Sequence, residues 1–205
     1  RPVELLAECG VLDARATVVH ATHLSAREVS LLCGDATVCA CPTTERDLGD
    51  GFLDTGALHG SGARIAIGTD SQTMIDPLEE VRLLEYHERM RGLRRVILAE
   101  AVAGGRVEVG PVLLDMASAA GARAIGVDAG ALEPGGYADF IAIDLEHGAL
   151  AGWTAETLAS LITLCAPTDV VADAWVGGVQ RLESRRHTLD DDAAAAFRAV
   201  AARLG

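Results

Sequence analysis

Residues 17–45, TVVHATHLSAREVSLLCGDATVCACPTTE, carry the pattern from which the fold follows. An apolar run, Thr17, Val18, Val19, ends at His20, and a second, Ala36 to Cys41, is closed by Pro42. Short, nearly continuous apolar runs are what parallel strands covered on both faces require. Between them Ser25, with Glu28 three residues on, forms a capping box ahead of Val29, Leu31 and Leu32, which predicts a helix. Strand, helix, strand in that order predicts a right-handed βαβ unit.

Outward from this unit the pattern repeats. Ile65 to Gly68 is a third apolar run, placed before Thr69 and Asp70. A helix is predicted after Pro77, where Leu78, Val81 and Leu84 are three apart on one face, and another over Val112 to Ile125. The fold class is therefore α/β with a parallel sheet, and periodicity alone does not separate an open sheet from a barrel. His20, Thr43, Thr44, Glu45 and Asp70 all fall just past the C-terminal ends of strands, where such folds put their chemistry. After about residue 128 the texture changes. A turn-rich stretch, Leu132 to Tyr137, leads into a strand signal at Asp139 to Asp144; a helical stretch follows at Ala155 to Leu164. A second strand signal spans Val170 to Val179, with Gly177 and Gly178 at a turn. The organisation expected is an α/β part over 1–128, a β-rich region over 129–185, and a C-terminal stretch, 186–205, whose Ala-rich helix starts near Leu189.

Half of the 205 residues are apolar but only 3% are aromatic, so the core must be built from small aliphatic side chains in close layers. Thirty acidic residues against seventeen basic ones give a net charge of −13, and no Lys/Arg stripe tracks phosphates, which argues against nucleic acid as a partner. No apolar stretch approaches the roughly 18–20 residues that cross a bilayer, so no membrane partner is expected. No charged segment precedes an apolar one at the start, and a cytoplasmic protein is expected. Five cysteines are an odd number without framework spacing, read as reduced thiols in or near the core. Cys39 and Cys41 could form half a zinc site, but no matching pair follows. A first residue of Arg1 instead of Met leads us to expect that the chain starts within a longer protein.

Two motifs can carry chemistry. His20 and His23, in HATH, sit at a strand end and in its loop; they read equally as hydrogen-bonded loop histidines. Asp70 follows the third strand and could by itself be a helix N-cap.

Together these motifs resemble the amidohydrolase superfamily, whose (β/α)8 barrel gathers one or two metal ions at its strand ends. VVHATHL is similar to strand 6 of that barrel, CPTTERDLGDG to strand 7 with its loop, and IGTDSQ to strand 8. GALEPGGYADFIAIDL, residues 130–145, resembles the return from barrel to a small β-sandwich, and Val176 and Gly177 in DAWVGG match its following strand. Within the superfamily, HATHLS, CPTTE with LGDG, and GTDSQTMIDPLEEVRLLEY look most like the formimidoylglutamate deiminases of histidine degradation. Purine and triazine deaminases usually carry an Asn-containing NP motif where this chain has Pro42, Thr43, Thr44, Glu45.

The resemblance implies a zinc-dependent hydrolysis of N-formimidoyl-L-glutamate to N-formyl-L-glutamate and ammonia. In it Asp70 is a metal ligand that takes a proton from water, and His20 orients the nucleophile and stabilises the tetrahedral intermediate. His23, Thr44, Glu45, Arg46 and Ser71 are implied as supporting or substrate-contacting groups. Arg46 could meet a substrate carboxylate or be a solvated loop arginine. The HxH pair and the HxxE motif of the superfamily are absent from the sequence. Three barrel strands are expected where about 250 residues make a complete barrel. The chain alone is therefore expected to be catalytically incomplete, and its open strand edges to be covered by the missing half or a second copy. Alternatives are a guanine, cytosine or triazine type of deaminase, or a non-catalytic scaffold.

Overall fold

The computed structural model describes residues 1–72, 74–102 and 104–204. Helix α1 (Pro2–Glu8) precedes β1 (Thr17–Val19), α2 (Ala26–Leu31), β2 (Thr37–Ala40), α3 (Pro42–Leu48), α4 (Thr55–Ser61) and β3 (Arg64–Ile67). The three strands form one parallel sheet in the order β1-β2-β3. Val18 pairs with Val38 and Val38 with Ile65, so the apolar runs lie side by side and end at one edge. The capping box is in place: the Ser25 side chain accepts from the Glu28 backbone N–H, and the Glu28 carboxylate accepts from the Ser25 N–H at 3.0 Å.

Pro42 to Glu45, expected as a loop beyond the second strand, instead open α3 directly. Pro42 fits the first helical position because the N–H it lacks would have no partner there. Glu45 closes the turn by accepting the Cys41 N–H at 2.9 Å. The expected helix over Val112 to Ile125 is two helices, α6 (Gly110–Ala117) and α7 (Ala119–Ala124), after the short hairpin of β4 (Glu100–Ala101) and β5 (Val107–Glu108). The break falls at Ser118, whose hydroxyl donates to the Leu114 carbonyl while its own backbone leaves the helical region.

The long helix α5 (Pro77–Gly92) is capped by Asp76, whose carboxylate accepts from the Leu78 and Glu79 N–H groups. Its Val81 and Leu84 join Val38, Ala40, Leu58, Ile65 and Leu113 in the main core. The same helix buries Glu80, Glu85 and Glu88, which periodicity of the apolar residues did not announce. Each serves another element's backbone or side chain. Glu80 receives the Thr43 N–H and hydroxyl, and Glu85 receives the Ile97 and Leu98 N–H groups.

After the turn at residues 131–137, β6 (Phe140–Ile143), β7 (Val171–Val176), β8 (Val179–Glu183) and β9 (Arg186–His187) form one antiparallel sheet in that order. The ring of Phe140 stacks on that of Trp175 at 4.6 Å. Between β6 and β7, α8 (Leu158–Leu164) returns to the α/β part and packs on α6. There a Cβ on Gly110 would stand 2.2 Å from the Ser160 backbone nitrogen, so only glycine permits the approach. Leu78, Leu150, Ile162 and Val170 make a second, smaller core that links α5 to this region. Helix α9 (Asp190–Leu204) closes the described chain. No helix among the described residues is long and apolar enough to cross a membrane. The cysteines depart from expectation: only Cys41 is buried and Cys39 half-buried, while Cys9, Cys33 and Cys165 are exposed because they sit in turns and helix ends and not in strands.

Candidate active site

The sheet presents its C-terminal edge at His20, Cys41 and Gly68, one residue beyond each strand or its extension. The ladder itself continues there: the His20 N–H donates to the Cys39 carbonyl at 2.9 Å and the Gly68 N–H to the Ala40 carbonyl at 2.8 Å. At this edge the backbone adopts positive φ at three non-glycine residues, His20 (66°), Ala21 (53°) and Asp70 (48°). Left-handed backbone is costly for side chains with a Cβ and gathers where function dictates direction. Beyond these turns the His20 and Asp70 side chains reach each other across the end of β2.

The two expected catalytic residues meet. His20 Nε2 lies 3.7 Å from Asp70 Oδ2, with both side chains nearly half exposed (42% and 45%) and so open to a ligand. On its other side, His20 Nδ1 faces Glu45 Oε1 at 3.3 Å. Glu45 is buried, and burial pushes its carboxyl above the ordinary range, against the opposing pull of the Cys41 N–H and of His20. Its second oxygen, Oε2, is buried without a hydrogen-bond partner among the described residues. The imidazole thus stands between an exposed carboxylate and a buried one.

Thr43, Thr44 and Glu80 fix this arrangement. Thr44 Oγ1 donates to the Thr69 carbonyl at 2.7 Å, tying α3 to the residue before Asp70. The Thr43 N–H donates to Glu80 Oε2 at 2.9 Å, and the Thr43 hydroxyl donates to the other Glu80 oxygen. Glu80 is fully buried and, like Glu45, pushed upward by burial. Thr44 is buried as well, so its contribution is to hold the Asp70 loop. Thr43 was read from the sequence only as lying past a strand end, and Glu80 was not singled out. The signal available was the threonine beside Thr44 and an acid at position 80 flanked by the apolar stripe Leu78, Val81, Leu84.

The remaining expected residues lie further out. His23 is exposed, with its Cε1 3.7 Å from where a Cβ on Gly51 would stand, and its carbonyl accepts from the Arg1 guanidinium. Arg46 pairs with Glu79 at 2.7 Å on the surface. Ser71 is exposed in the loop after Asp70. At the end of β2 the Cys39 thiol donates to the Ala40 carbonyl at 3.9 Å, and the neighbouring Cys39 and Cys41 thiols act on each other, which holds Cys39 below a thiol's ordinary value and pushes Cys41 up. Among the described residues no group of three or more His, Cys, Asp and Glu side chains is arranged to hold a metal ion.

Residues 1–181 match the model of the amidohydrolase family. Over 198 residues the chain is 32% identical to the formimidoylglutamate deiminase of Pseudomonas aeruginosa, covering 96% of this chain and 43% of that protein. It is 31% identical over 189 residues to a 5-methylthioadenosine/S-adenosylhomocysteine deaminase of Teredinibacter turnerae, covering 90% of this chain and 40% of that protein. Among solved structures, an amidohydrolase from Brucella melitensis superposes with a TM-score of 0.85 at 33% identity, covering 100% of this chain and 44% of that one. An adenosine deaminase from Xanthomonas campestris with bound zinc superposes with a TM-score of 0.83 at 26% identity, covering 99% and 45%. The chain spans less than half the length of each. With the family match running from α1 into β8, this chain belongs to the amidohydrolase family.

Proposed function

We propose that this chain supplies the Asp70 and His20 side of a deiminase active site. The complete protein would hydrolyse the formimino C–N bond of N-formimidoyl-L-glutamate to give N-formyl-L-glutamate and ammonia. The observation that carries the reading is the 3.7 Å approach of His20 Nε2 to Asp70 Oδ2, with Glu45 on the opposite ring nitrogen. The likeness to the Pseudomonas aeruginosa deiminase, and Pro42-Thr43-Thr44-Glu45 in place of an Asn-containing motif, favour this substrate over a purine.

Zinc is the metal this reading implies. The exposed Asp70 carboxylate fits as one oxygen ligand, and the ring nitrogen beside it is a donor of the type zinc accepts. Two donors fall short of the three or more that a catalytic zinc uses, so the remaining ligands would come from the part of the family's fold that this chain does not span. Bound there, the metal would supply hydroxide at neutral pH by lowering the pKa of water to about 7. Asp70 would accept the proton of the attacking water. His20, held by Glu45 through Nδ1, would present Nε2–H to the developing negative charge, and the proton taken up by Asp70 would pass to the departing amine. Thr44 would keep the Asp70 loop in place by its bond to Thr69.

A dicarboxylate substrate is repelled at long range by a net charge of −13 and needs local cationic donors. Arg46 stands nearest in sequence to the rim but is paired with Glu79, so most such donors would come from elsewhere in the complete protein. The test is ammonia release by the complete gene product with N-formimidoyl-L-glutamate, beside 5-methylthioadenosine and adenosine. Turnover of the nucleosides alone would transfer the site to a purine deaminase.

A further inference from the structure

Cys39 and Cys41 take no part in the reaction proposed above, yet they are placed as a pair. They are two apart on β2 and its extension, so their side chains leave the same face. A Cβ on Gly68, the residue alongside, would stand 3.4 Å from the sulphur of Cys39 and 3.4 Å from that of Cys41. Both sulphurs therefore converge on one point, kept open by the missing side chain. The two thiols are near enough to shift each other in opposite directions, and Cys39 is half-exposed, which gives the pair a way in from solvent.

A direct disulfide does not suit this geometry. Extended backbone separates residues i and i+2 by about 6.4–6.8 Å, at the upper limit of the roughly 4.4–6.8 Å that a disulfide spans between Cα atoms. One soft atom bonded to both sulphurs relieves that limit. The carboxylates of Glu45, Asp70 and Glu80 act on Cys39, so the surroundings disfavour an anionic thiol reagent and admit a neutral or cationic one.

We propose that Cys39 and Cys41 form a two-thiolate site for a thiophilic centre of the trivalent arsenical class. With phenylarsine oxide as the ligand, the two S–H bonds and the As–O bond break, two As–S bonds form, and one water leaves carrying both protons. Arsenic remains in the trivalent state throughout, so no oxidant or reductant is needed.

The 205-residue chain is treated with phenylarsine oxide, challenged with excess monothiol, and read by intact mass and by thiol titration in denaturant. One adduct is expected per chain, of reagent mass less one water. Titratable thiols should fall from five to three and be restored by a dithiol. In Cys39→Ser, binding should weaken about a hundredfold or more, the usual advantage of a second tethered ligand being lost. A variant with Cys9, Cys33 and Cys165 all replaced by Ser, all three exposed in the native chain, should retain the adduct. A monothiol-resistant adduct of unchanged affinity in Cys39→Ser, or no such adduct in the native chain, would overturn the proposal.

Discussion

Replacing Thr43 by Val tests how the site is held. The change keeps the side chain's shape and removes one hydroxyl, which donates to a fully buried Glu80 oxygen. The other Glu80 oxygen still receives the Thr43 N–H at 2.9 Å. What is lost is one hydrogen bond to a charged acceptor, leaving that acceptor buried and unpaired, a loss of about 1.5–3 kcal/mol. For a chain of this size that corresponds to a fall in Tm of roughly 3–12 °C. Burial pushes the Glu80 carboxyl upward, so on acidification the variant's deficit should shrink as the group becomes neutral and needs fewer donors. Urea and thermal unfolding of both forms at neutral and mildly acidic pH give the numbers. A deficit below about 0.5 kcal/mol, the range of ordinary surface changes, would show that the Thr43–Glu80 contact does not anchor α3.

Three other outcomes are expected. Gly110→Ala should destabilise by about 3 kcal/mol or more, since its Cβ would meet the Ser160 backbone at 2.2 Å and neither helix can yield without moving; calorimetry reads this directly. Glu45, Glu80 and Glu88 are all raised from 4.5 by burial, so the folded chain binds their protons more tightly than the unfolded one, and stability should rise as pH falls from neutral through their folded values. Glu28 acts in the opposite sense: held down to about 2 by the Ser25 backbone and the Arg1 guanidinium, it stabilises above 4.5, and that contribution is lost as pH falls toward 2. Unfolding followed across pH should therefore show a maximum between 4.5 and neutrality, and a monotonic decline from pH 7 would contradict it. Isothermal titration of zinc into the 205-residue chain should give weak binding and no ammonia release, because Asp70 with His20 offers two donors. Tight stoichiometric zinc would mean that ligands are present beyond those two.

Much of the architecture was legible because it rests on local pattern. The runs 17–20, 36–41 and 65–68 are nearly continuous in apolar residues and became β1, β2 and β3 in parallel register, with β2 covered on both faces and Val19 of β1 half exposed. The positions of His20 and Asp70 followed from strand ends alone. What pattern could not show is what depends on backbone direction and burial across the sequence. The positive φ at His20 and Asp70 that turns the two side chains toward each other has no glycine or asparagine to mark it. Glu80, Glu85 and Glu88 carry no apolar signal, yet they are buried because each meets backbone donors from segments 12 to 37 residues away. Glu45 looked like one of several supporting groups, and only the fold shows it against His20 Nδ1 with an oxygen that finds no partner among the described residues.

The most direct measurement is ammonia release from N-formimidoyl-L-glutamate by the complete gene product, made in parallel with its Asp70→Asn form. Asparagine keeps the size of Asp70 but can neither take a proton nor offer a charged ligand. The native protein should turn the substrate over, and Asp70→Asn should lower kcat by about a hundredfold or more, with its unfolding curve little changed. Near-native turnover in Asp70→Asn, or no ammonia from the native protein, would contradict the assignment of this rim as half of a deiminase site.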